Sequence, residues 1–190
     1  MNEQKQRFLD LFNKYIKREG AADLLNWLQS SDFLSAPAST KYHGCHECGL
    51  VEHSLNVYDC LVSELSLSGL SDVYPPETVA IVSLLHDICK ANFYKVGTRN
   101  VKENGQWVKK EVYEIDEKFP CGHGEKSVII LQNFIHLEPE EILAIRAHMG
   151  GWDDSVKGGA FFVGKTFEKS KLSLLLHLSD MKATYLMESQ

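Results

Sequence analysis

Long apolar stretches are missing from this sequence. No segment approaches the roughly 20 consecutive apolar residues that a membrane-spanning helix requires. The N-terminal segment MNEQKQRFLDLFNKYIKRE mixes charged with apolar residues and lacks the continuous apolar core of a signal peptide. The sequence therefore predicts a protein with no membrane partner, for which the cytoplasm is the default location.

Cysteine and net positive charge are also scarce. The five cysteines are an odd number in a 190-residue chain, which is long enough to bury an apolar core without disulfides, so we expect reduced thiols. With 20 basic against 26 acidic side chains, the net charge of −6 excludes the basic excess typical of proteins that coat nucleic acids. Segment 90–110 departs from this balance with a net charge of +5, which leaves −11 for the rest. This distribution favours a small anionic substrate or a single strand over a duplex.

Apolar residues recur at helical spacing along most of the chain. One long helix is predicted over 50–67, and a nearly all-apolar helix begins at Pro75-Pro76-Glu77, where proline suits the first turn. The first helix is expected to end at Gly20, and residues 1–40 are predicted to form N-terminal helices packed on the rest. A last helix is predicted from Lys171 to Met187.

Two segments differ from this helical pattern. Two β-prone runs flank Asn104-Gly105, a strong hairpin signal, and predict a β-hairpin over about residues 93–116. Segment 150–167, GGWDDSVKGGAFFVGKTF, is glycine-rich and is predicted to be a loop that covers a site. The predicted architecture is a single domain of residues 1–190, an all-α helical bundle with one inserted hairpin.

Histidine and aspartate occupy positions in these helices that suit metal binding. Imidazole and carboxylate together suit divalent ions such as Mn, Fe, Co, Ni or Zn. Neighbours on a helix point about 100° apart, so His86 and Asp87 can share one metal only where the helix edge faces a cavity. Burying Asp87 or Asp180 within apolar runs is costly unless a cation compensates the charge. A lone buried histidine is more often a hydrogen-bonded core residue than a ligand, and His177 is expected to be packed in this way.

The order of these residues resembles the H…HD…D signature of the HD-domain metal-dependent phosphohydrolases. The similarity runs over about residues 43–185 and rests on the strings GLVEHSLNV, LLHDICK and HLSDMKAT. It implies an HD-domain-like helical bundle that binds a divalent metal ion (Mn, Fe, Ni, Co, Zn or Mg). The four ligands that the resemblance implies are His53, His86, Asp87 and Asp180.

A second metal is implied by the binuclear branches of the same family. There, two further histidines on intervening helices hold the second ion and the HD aspartate bridges, which corresponds to His123, His148 and Asp87 here. Some of those branches have consecutive histidines where this chain has His148-Met149, so the second metal would be one ligand short unless water fills the place. The alternative is that His123 binds substrate phosphate instead.

Substrate binding is expected from several basic side chains. Lys90 lies one helical turn beyond Asp87 and is similar to a lysine that meets the substrate phosphate in some family branches, where it would assist catalysis as a point charge. The other interpretation of Lys90 is a cation that complements a helix C-terminus. Arg146 is a second candidate for phosphate, and His43 and His46 are expected to line the pocket.

The cysteines in His43-Gly-Cys45-His46-Glu47-Cys48 allow a different interpretation. Cys45 and Cys48, with Cys121 and His123, would supply donors for a structural zinc site. A second pair at zinc-finger spacing is absent from the sequence, which favours the pocket-lining interpretation of this loop.

The function expected from the resemblance is metal-dependent hydrolysis of a phosphoester, catalysed with Asp87 and Lys90. The substrate would be a nucleotide or the end of a nucleic-acid strand, so the enzyme would be a phosphomonoesterase or a phosphodiesterase. Two alternatives stay open: a 3′–5′ exonuclease-like activity on single strands, and a non-catalytic regulatory module that binds metal or nucleotide. No Walker loop, nucleophile elbow or dinucleotide fingerprint points elsewhere. The oligomeric state is not encoded in any recognisable pattern.

Overall fold

The computed structural model describes residues 3–103 and 105–188, and within these ranges the chain is mostly helical with one antiparallel hairpin. The α-helices of this described part are α1 (Glu3–Tyr15), α2 (Ala21–Ser30), α3 (Gly49–Leu67), α4 (Pro76–Leu85), α5 (His123–Gln132), α6 (Pro139–Ala147), α7 (Asp154–Lys157), α8 (Phe162–Lys169) and α9 (Lys171–Lys182). The strands are β1 (Tyr94–Glu103) and β2 (Gln106–Ile115). None of these helices is long and apolar enough to cross a bilayer.

Helix α4 lies at the centre of the bundle. Every residue from Thr78 to Leu85 is buried, as expected for a helix that is apolar on all sides. Pro76 occupies its first turn and Glu77 lies near its positive end, which confirms the predicted start. Helix α3 packs against α4 and α9, and α6 packs against α9 as well. The ends of α3, α4 and α9 are thereby held close together.

The N-terminal helices share this core. Phe8 and Phe12 of α1 and Leu24 and Leu28 of α2 are fully or almost fully buried in the same apolar cluster as α3 and α4. The prediction for Gly20 was wrong in detail. Helix α1 already ends at Tyr15, and Gly20 instead precedes α2 with φ of +85°. A Cβ atom at Gly20 would collide with the backbone of Phe134, so the position requires glycine.

The predicted hairpin is confirmed to within one residue at each end. Strands β1 and β2 pair in register from Tyr94↔Ile115 to Glu103↔Gln106, and the Asp116 amide donates to the Phe93 carbonyl just beyond them. The turn was predicted at Asn104-Gly105. Asn104 lies outside the described residues, whereas Gly105 has the φ of +83° that such a turn needs.

Two predictions in the C-terminal third need correction. Segment 150–167 is not simply a loop, because it contains a 3₁₀ turn at Gly150–Trp152, helix α7 and most of helix α8. The last helix does not remain α-helical to Met187, since Ala183–Met187 form a π-helical turn. Such turns are often found at functional sites.

Candidate metal centre

Four predicted ligands converge where α3, α4 and α9 meet. The Nε2 atom of His53, on α3, lies 3.2 Å from Asp180 Oδ1 on α9 and 3.3 Å from His86 Nε2. Asp87 Oδ2 lies 3.8 Å from His53 Nε2 and 3.6 Å from His86 Nε2. Because α4 ends at Leu85, His86 and Asp87 leave the helix at its edge and can face the same space. The structure therefore brings all four residues together.

These donors fit a divalent metal ion. Metal–nitrogen and metal–oxygen bonds of about 2.0–2.2 Å place neighbouring donors roughly 3–4 Å apart. The distances from His53 Nε2 to the other three donors, and from His86 to Asp87, fall in this range. His53, His86 and Asp180 form one compact group of potential ligands, and Asp87 is grouped with His86 and His148. Asp87 Oδ1 and His148 Nε2 are buried without a hydrogen-bond partner among the described residues. Buried polar atoms are rarely left in this state. A cation beside them would compensate both.

The histidine rings are held by their Nδ1 atoms. His86 Nδ1 donates to the Ser83 carbonyl at 2.8 Å, and His148 Nδ1 donates to the Ile145 carbonyl at 2.6 Å. His53 Nδ1 instead lies 3.1 Å from the carboxylate of Glu188. In each case Nε2 is left to face the site, which is the usual arrangement of metal-binding histidines.

The electrostatics of the site reflect its crowded charges. Burial lowers the pKa of His53, but hydrogen bonds to Asp180 and Glu188 outweigh burial and raise this pKa to about 10. The reverse holds for Asp180: burial raises its pKa, and the hydrogen bond and charge of His53 lower it to well below the ordinary value. Burial dominates at His86 and lowers its pKa to about 4. His86 therefore offers a neutral imidazole at physiological pH.

A second set of donors surrounds the other oxygen of Asp87. His148 Nε2 lies 3.4 Å and His123 Nε2 lies 3.8 Å from Asp87 Oδ1. His148 belongs to a group of potential ligands with His86 and Asp87, whereas His123 forms another with Asp87 and Cys89. Asp87 is common to both groups. A carboxylate that bridges two metal ions would need this position.

Lys90 also turns into the site. It ends the 3₁₀ segment Ile88–Lys90, is 7% exposed, and its Nζ lies 2.6 Å from Asp87 Oδ2. Burial lowers its pKa, but the charge of Asp87 outweighs burial and raises it above the ordinary value. Lys90 is therefore a buried cation at the site. A lysine that only complemented a helix C-terminus would be expected to lie exposed at the surface.

A cavity of about 750 Å³ opens onto these groups. It is lined by Asp87, Lys90, His123, His148 and Asp180, and also by Lys41, Tyr42, His43, Met149, Trp152, Lys157, His177, Met181, Thr184, Tyr185 and Glu188. The ring of His43 lies 4.9 Å from that of His53, centroid to centroid. Burial, together with the positive charges of His53 and Lys90, lowers the pKa of His43 to about 4.

Two residues expected at the pocket do not line this cavity in the described structure. His46 is exposed, with its Nε2 atom 3.5 Å from Glu52. Arg146 pairs with Glu125 and Asp153 and stacks over the ring of Phe162. These two carboxylates already compensate the charge of Arg146. Because Glu125 lies on α5 and Asp153 in the turn after α6, Arg146 joins these segments to its own helix, α6.

The zinc interpretation receives no geometric support. Among the described residues, the groups of three or more potential ligands include none of Cys45, Cys48 and Cys121. His177, expected to be packed, is half-buried: it stacks on Phe167 and its Nδ1 donates to the His148 carbonyl, but its ring also lines the cavity.

Glu188 is a site residue that sequence reasoning missed. Its carboxylate contacts His53 Nδ1 and accepts a hydrogen bond of 2.9 Å from Asn56 Nδ2. It follows the π-helical turn near the end of the chain, and no motif marks it. Only its position eight residues after Asp180, just beyond the end of the same helical run, connects it with the site.

Comparison with known proteins adds nothing to this assignment, because no family model, curated protein or solved structure matches the chain.

Proposed function

We propose that this protein is a metal-dependent phosphohydrolase of the HD-domain type that acts on an anionic, nucleotide-like phosphoester. The observation that carries the proposal is the convergence of His53, His86, Asp87 and Asp180 beside an unpartnered Asp87 oxygen. Because the first residue comes from α3 and the last from α9, this convergence does not follow from neighbouring positions in the sequence.

The chemistry of hydrolysis would be divided between the metal and the chain. A bound divalent ion lowers the pKa of a coordinated water and polarises a phosphoryl oxygen. His53, His86, Asp87 and Asp180 would hold this ion. Lys90 would neutralise charge that develops on the phosphoryl group, provided its ammonium shifts from Asp87 to the substrate once a metal compensates that carboxylate.

The cavity supports an anionic substrate of nucleotide size. Its volume of about 750 Å³ falls within the range of roughly 300–1,000 Å³ that small-molecule sites occupy. Lys41 and Lys157 add positive charge to its lining, and Trp152, which is 49% exposed, offers a ring on which a base could stack. The lining carries three lysines against three carboxylates, whereas the whole chain carries 20 basic against 26 acidic residues. The cavity is therefore less acidic than the chain as a whole.

A non-catalytic metal- or nucleotide-binding module is the second candidate. The observation in its favour is the ion pair between Lys90 and Asp87, since a lysine 2.6 Å from Oδ2 already compensates the carboxylate that a catalytic metal needs. Such a module would bind nucleotide without turnover.

Metal analysis and hydrolysis assays together test the proposal. The purified protein should retain a divalent ion by mass spectrometry and hydrolyse bis-p-nitrophenyl phosphate or a nucleotide with Mn²⁺. Asp87→Asn should lose both, by more than the roughly 10–100-fold that removal of an outer partner of a ligand costs. Asp154→Asn, a change at an exposed aspartate outside the cavity lining, is the matched control and should lose neither.

Two results separate the candidates. Tight metal and nucleotide binding without turnover of any phosphoester would favour the binding module. If Asp87→Asn keeps wild-type metal stoichiometry and turnover, the site assignment fails.

A further inference from the structure

Cys89 is a buried thiol for which the proposed hydrolysis has no use. It lies two residues after Asp87 in the segment Ile88–Lys90 and is 2% exposed. Its Sγ atom, an Asp87 oxygen and a ring nitrogen of His123 all lie within 4.8 Å of one another. A thiol that serves only as a small apolar group has no reason to adjoin a carboxylate and an imidazole.

The backbone holds this arrangement in place. The Cys89 amide donates to Ser127 Oγ at 3.3 Å, and Ser127 lies one helical turn after His123 on α5. The 3₁₀ segment that carries Cys89 is thereby tied to the helix that carries His123. Cys89 and His123 come from two elements that pack directly against each other, and Asp87 immediately precedes the first of them.

Buried polar atoms without hydrogen-bond partners lie at the same place, and a cation bound there would compensate them. Within the described part of the chain, Asp87 Oδ1 is buried and lacks a hydrogen-bond partner, and His123 Nε2 lies 3.8 Å from it. His148 Nε2 is likewise buried and unpartnered, at 3.4 Å from the same oxygen. Lys90 contacts Oδ2 instead, so its ammonium does not supply the missing hydrogen bond to Oδ1.

We propose that Asp87, Cys89 and His123 form a second metal site with a thiolate ligand, which takes a thiophilic ion such as Zn²⁺ in preference to Mg²⁺ or Mn²⁺. The inference rests on the proposed function, because Asp87 would be shared with the ion held by His53, His86 and Asp180. On binding, the Cys89 thiol loses its proton to solvent and the sulfur forms the metal bond. Sulfur selects soft ions, whereas hard ions prefer oxygen. Three protein ligands leave one tetrahedral position open, as in catalytic zinc sites.

Cobalt titration followed by absorption spectroscopy tests this site without any assay of activity. The metal-stripped wild-type protein should bind two equivalents of Co²⁺ and develop a sulfur-to-cobalt charge-transfer band in the near ultraviolet. Cys89→Ser should lose the band and one equivalent, while the visible ligand-field bands of the other equivalent remain. Cys48→Ser, a change at another buried cysteine that lies outside the ligand groups, is the matched control and should keep the band.

The outcomes distinguish this inference from the proposed function. One bound equivalent without a charge-transfer band in the wild type overturns the thiolate site but leaves the first metal, provided Asp87→Asn abolishes that equivalent. A band that survives in Cys89→Ser and disappears in Cys48→Ser also overturns it. If the wild type binds no Co²⁺ at all, both the inference and the proposed function fail. Because the wild-type spectrum is decisive alone, the test does not depend on how well Cys89→Ser folds.

Discussion

The buried histidines of the site differ in what orients them. His86 and His148 donate to carbonyl groups three residues earlier, so their own helical turn sets their rings. His53 depends on the carboxylate of Glu188, which is remote in sequence and is itself held by Asn56. A carboxylate partner also raises the basicity of a ligating imidazole. We therefore expect Glu188 to position His53 and its charge to strengthen the binding of a metal ion there.

Glu188→Gln should weaken metal binding by roughly 10–100-fold, as loss of such a partner does at other metal sites. The amide keeps an acceptor oxygen but removes the charge, so the ring keeps its orientation while its basicity falls. The measurement is the Kd for Mn²⁺ or Zn²⁺ by competition with a chelator. Glu52→Gln is the control, because Glu52 is next to His53 in sequence but its carboxylate lies 3.5 Å from the exposed His46. Equal affinities for the two variants would rule out the positioning role.

Lys90→Met should destabilise the metal-free protein by about 3 kcal/mol, because it removes the ammonium that lies 2.6 Å from the buried Asp87 carboxylate. A divalent metal should restore most of this loss, since the ion supplies the missing positive charge. Thermal unfolding with EDTA and with excess Mn²⁺ measures both effects.

Lys126→Met provides the comparison for Lys90. Lys126 is similarly buried and pairs with Glu117 at 2.7 Å, outside the ligand groups. Metal should therefore raise the stability of Lys126→Met by no more than it raises that of the wild type. If metal restores the stability of both variants equally, or of neither, then Lys90 and the ion do not compensate the same carboxylate.

At the scale of elements, the hairpin has two faces of different composition. Lys102 lies opposite Trp107, and Lys109 follows two residues later, so these three side chains share one face. Arg99 and Lys110, which lie opposite each other, belong to the other face. Alternation places Tyr94 on the Trp107 face, and its hydroxyl donates to the Ala38 carbonyl, close in sequence to Lys41 and His43 of the cavity.

The Trp107 face is expected to bind substrates that extend beyond the cavity. Lys102→Gln with Lys109→Gln should raise KM for a short oligonucleotide several-fold, and the increase should shrink at high salt because screening weakens the attraction. Arg99→Gln with Lys110→Gln removes the same charge from the opposite face and should have a smaller effect. Bis-p-nitrophenyl phosphate, which is too small to reach the strands, should be hydrolysed equally by all variants. If the two double variants have the same KM, the hairpin has a structural role and does not bind substrate.

The start and type of the helices could be predicted because local periodicity determines them. Thr78–Leu85 is apolar on all sides and follows two prolines, and both features are visible in the printed sequence. The end of α1 and the π-helical turn at Ala183–Met187 could not be read in this way. Gly20 has a positive φ, and a Cβ atom there would meet the backbone of Phe134, a contact between segments remote in sequence. Only the packed structure reveals such a contact.

At the scale of the whole molecule, an ion pair joins the N-terminal helices to the bundle. Arg18, between α1 and α2, contacts both carboxylate oxygens of Glu141 on α6, at 2.7 and 2.9 Å. Thr78 on α4 donates to the same carboxylate, and the Arg18 amide donates to Glu77. The Glu141 side chain is fully buried, so its charge depends on these partners.

Arg18→Ala should lower the free energy of unfolding by about 3 kcal/mol or more, because it leaves a buried carboxylate unpaired. Arg7→Ala is the matched control, since Arg7 pairs with Asp59 at 2.6 Å with both side chains largely exposed. That change should cost less than about 1 kcal/mol. Urea unfolding at pH 7 measures both, and similar losses would contradict the assigned role of burial.

The same carboxylate should make stability depend on pH. Burial raises the pKa of Glu141, but hydrogen bonds from Arg18, the Glu138 amide and Thr78 outweigh burial and lower it below the ordinary 4.5. The folded state then binds this proton less readily than the unfolded state, so the contribution is present above pH 4.5 and is lost as the pH falls through the folded value. Glu141→Gln should therefore show a shallower loss of stability on acidification than the wild type. Parallel curves from urea unfolding between neutral and acid pH would exclude this contribution.

The amino-acid sequence by itself determined the helices, the hairpin and the placement of His53, His86, Asp87 and Asp180 within helical runs, because these depend on periodicity and turn chemistry among near neighbours. Only the tertiary structure decided which donors meet. It brought Glu188 to His53 and Cys89 to His123, while it placed Arg146 in ion pairs outside the cavity lining. The physical reason is that contacts between α3, α9 and the C-terminal turn join residues more than 100 positions apart, and burial then sets the charge that each group can carry.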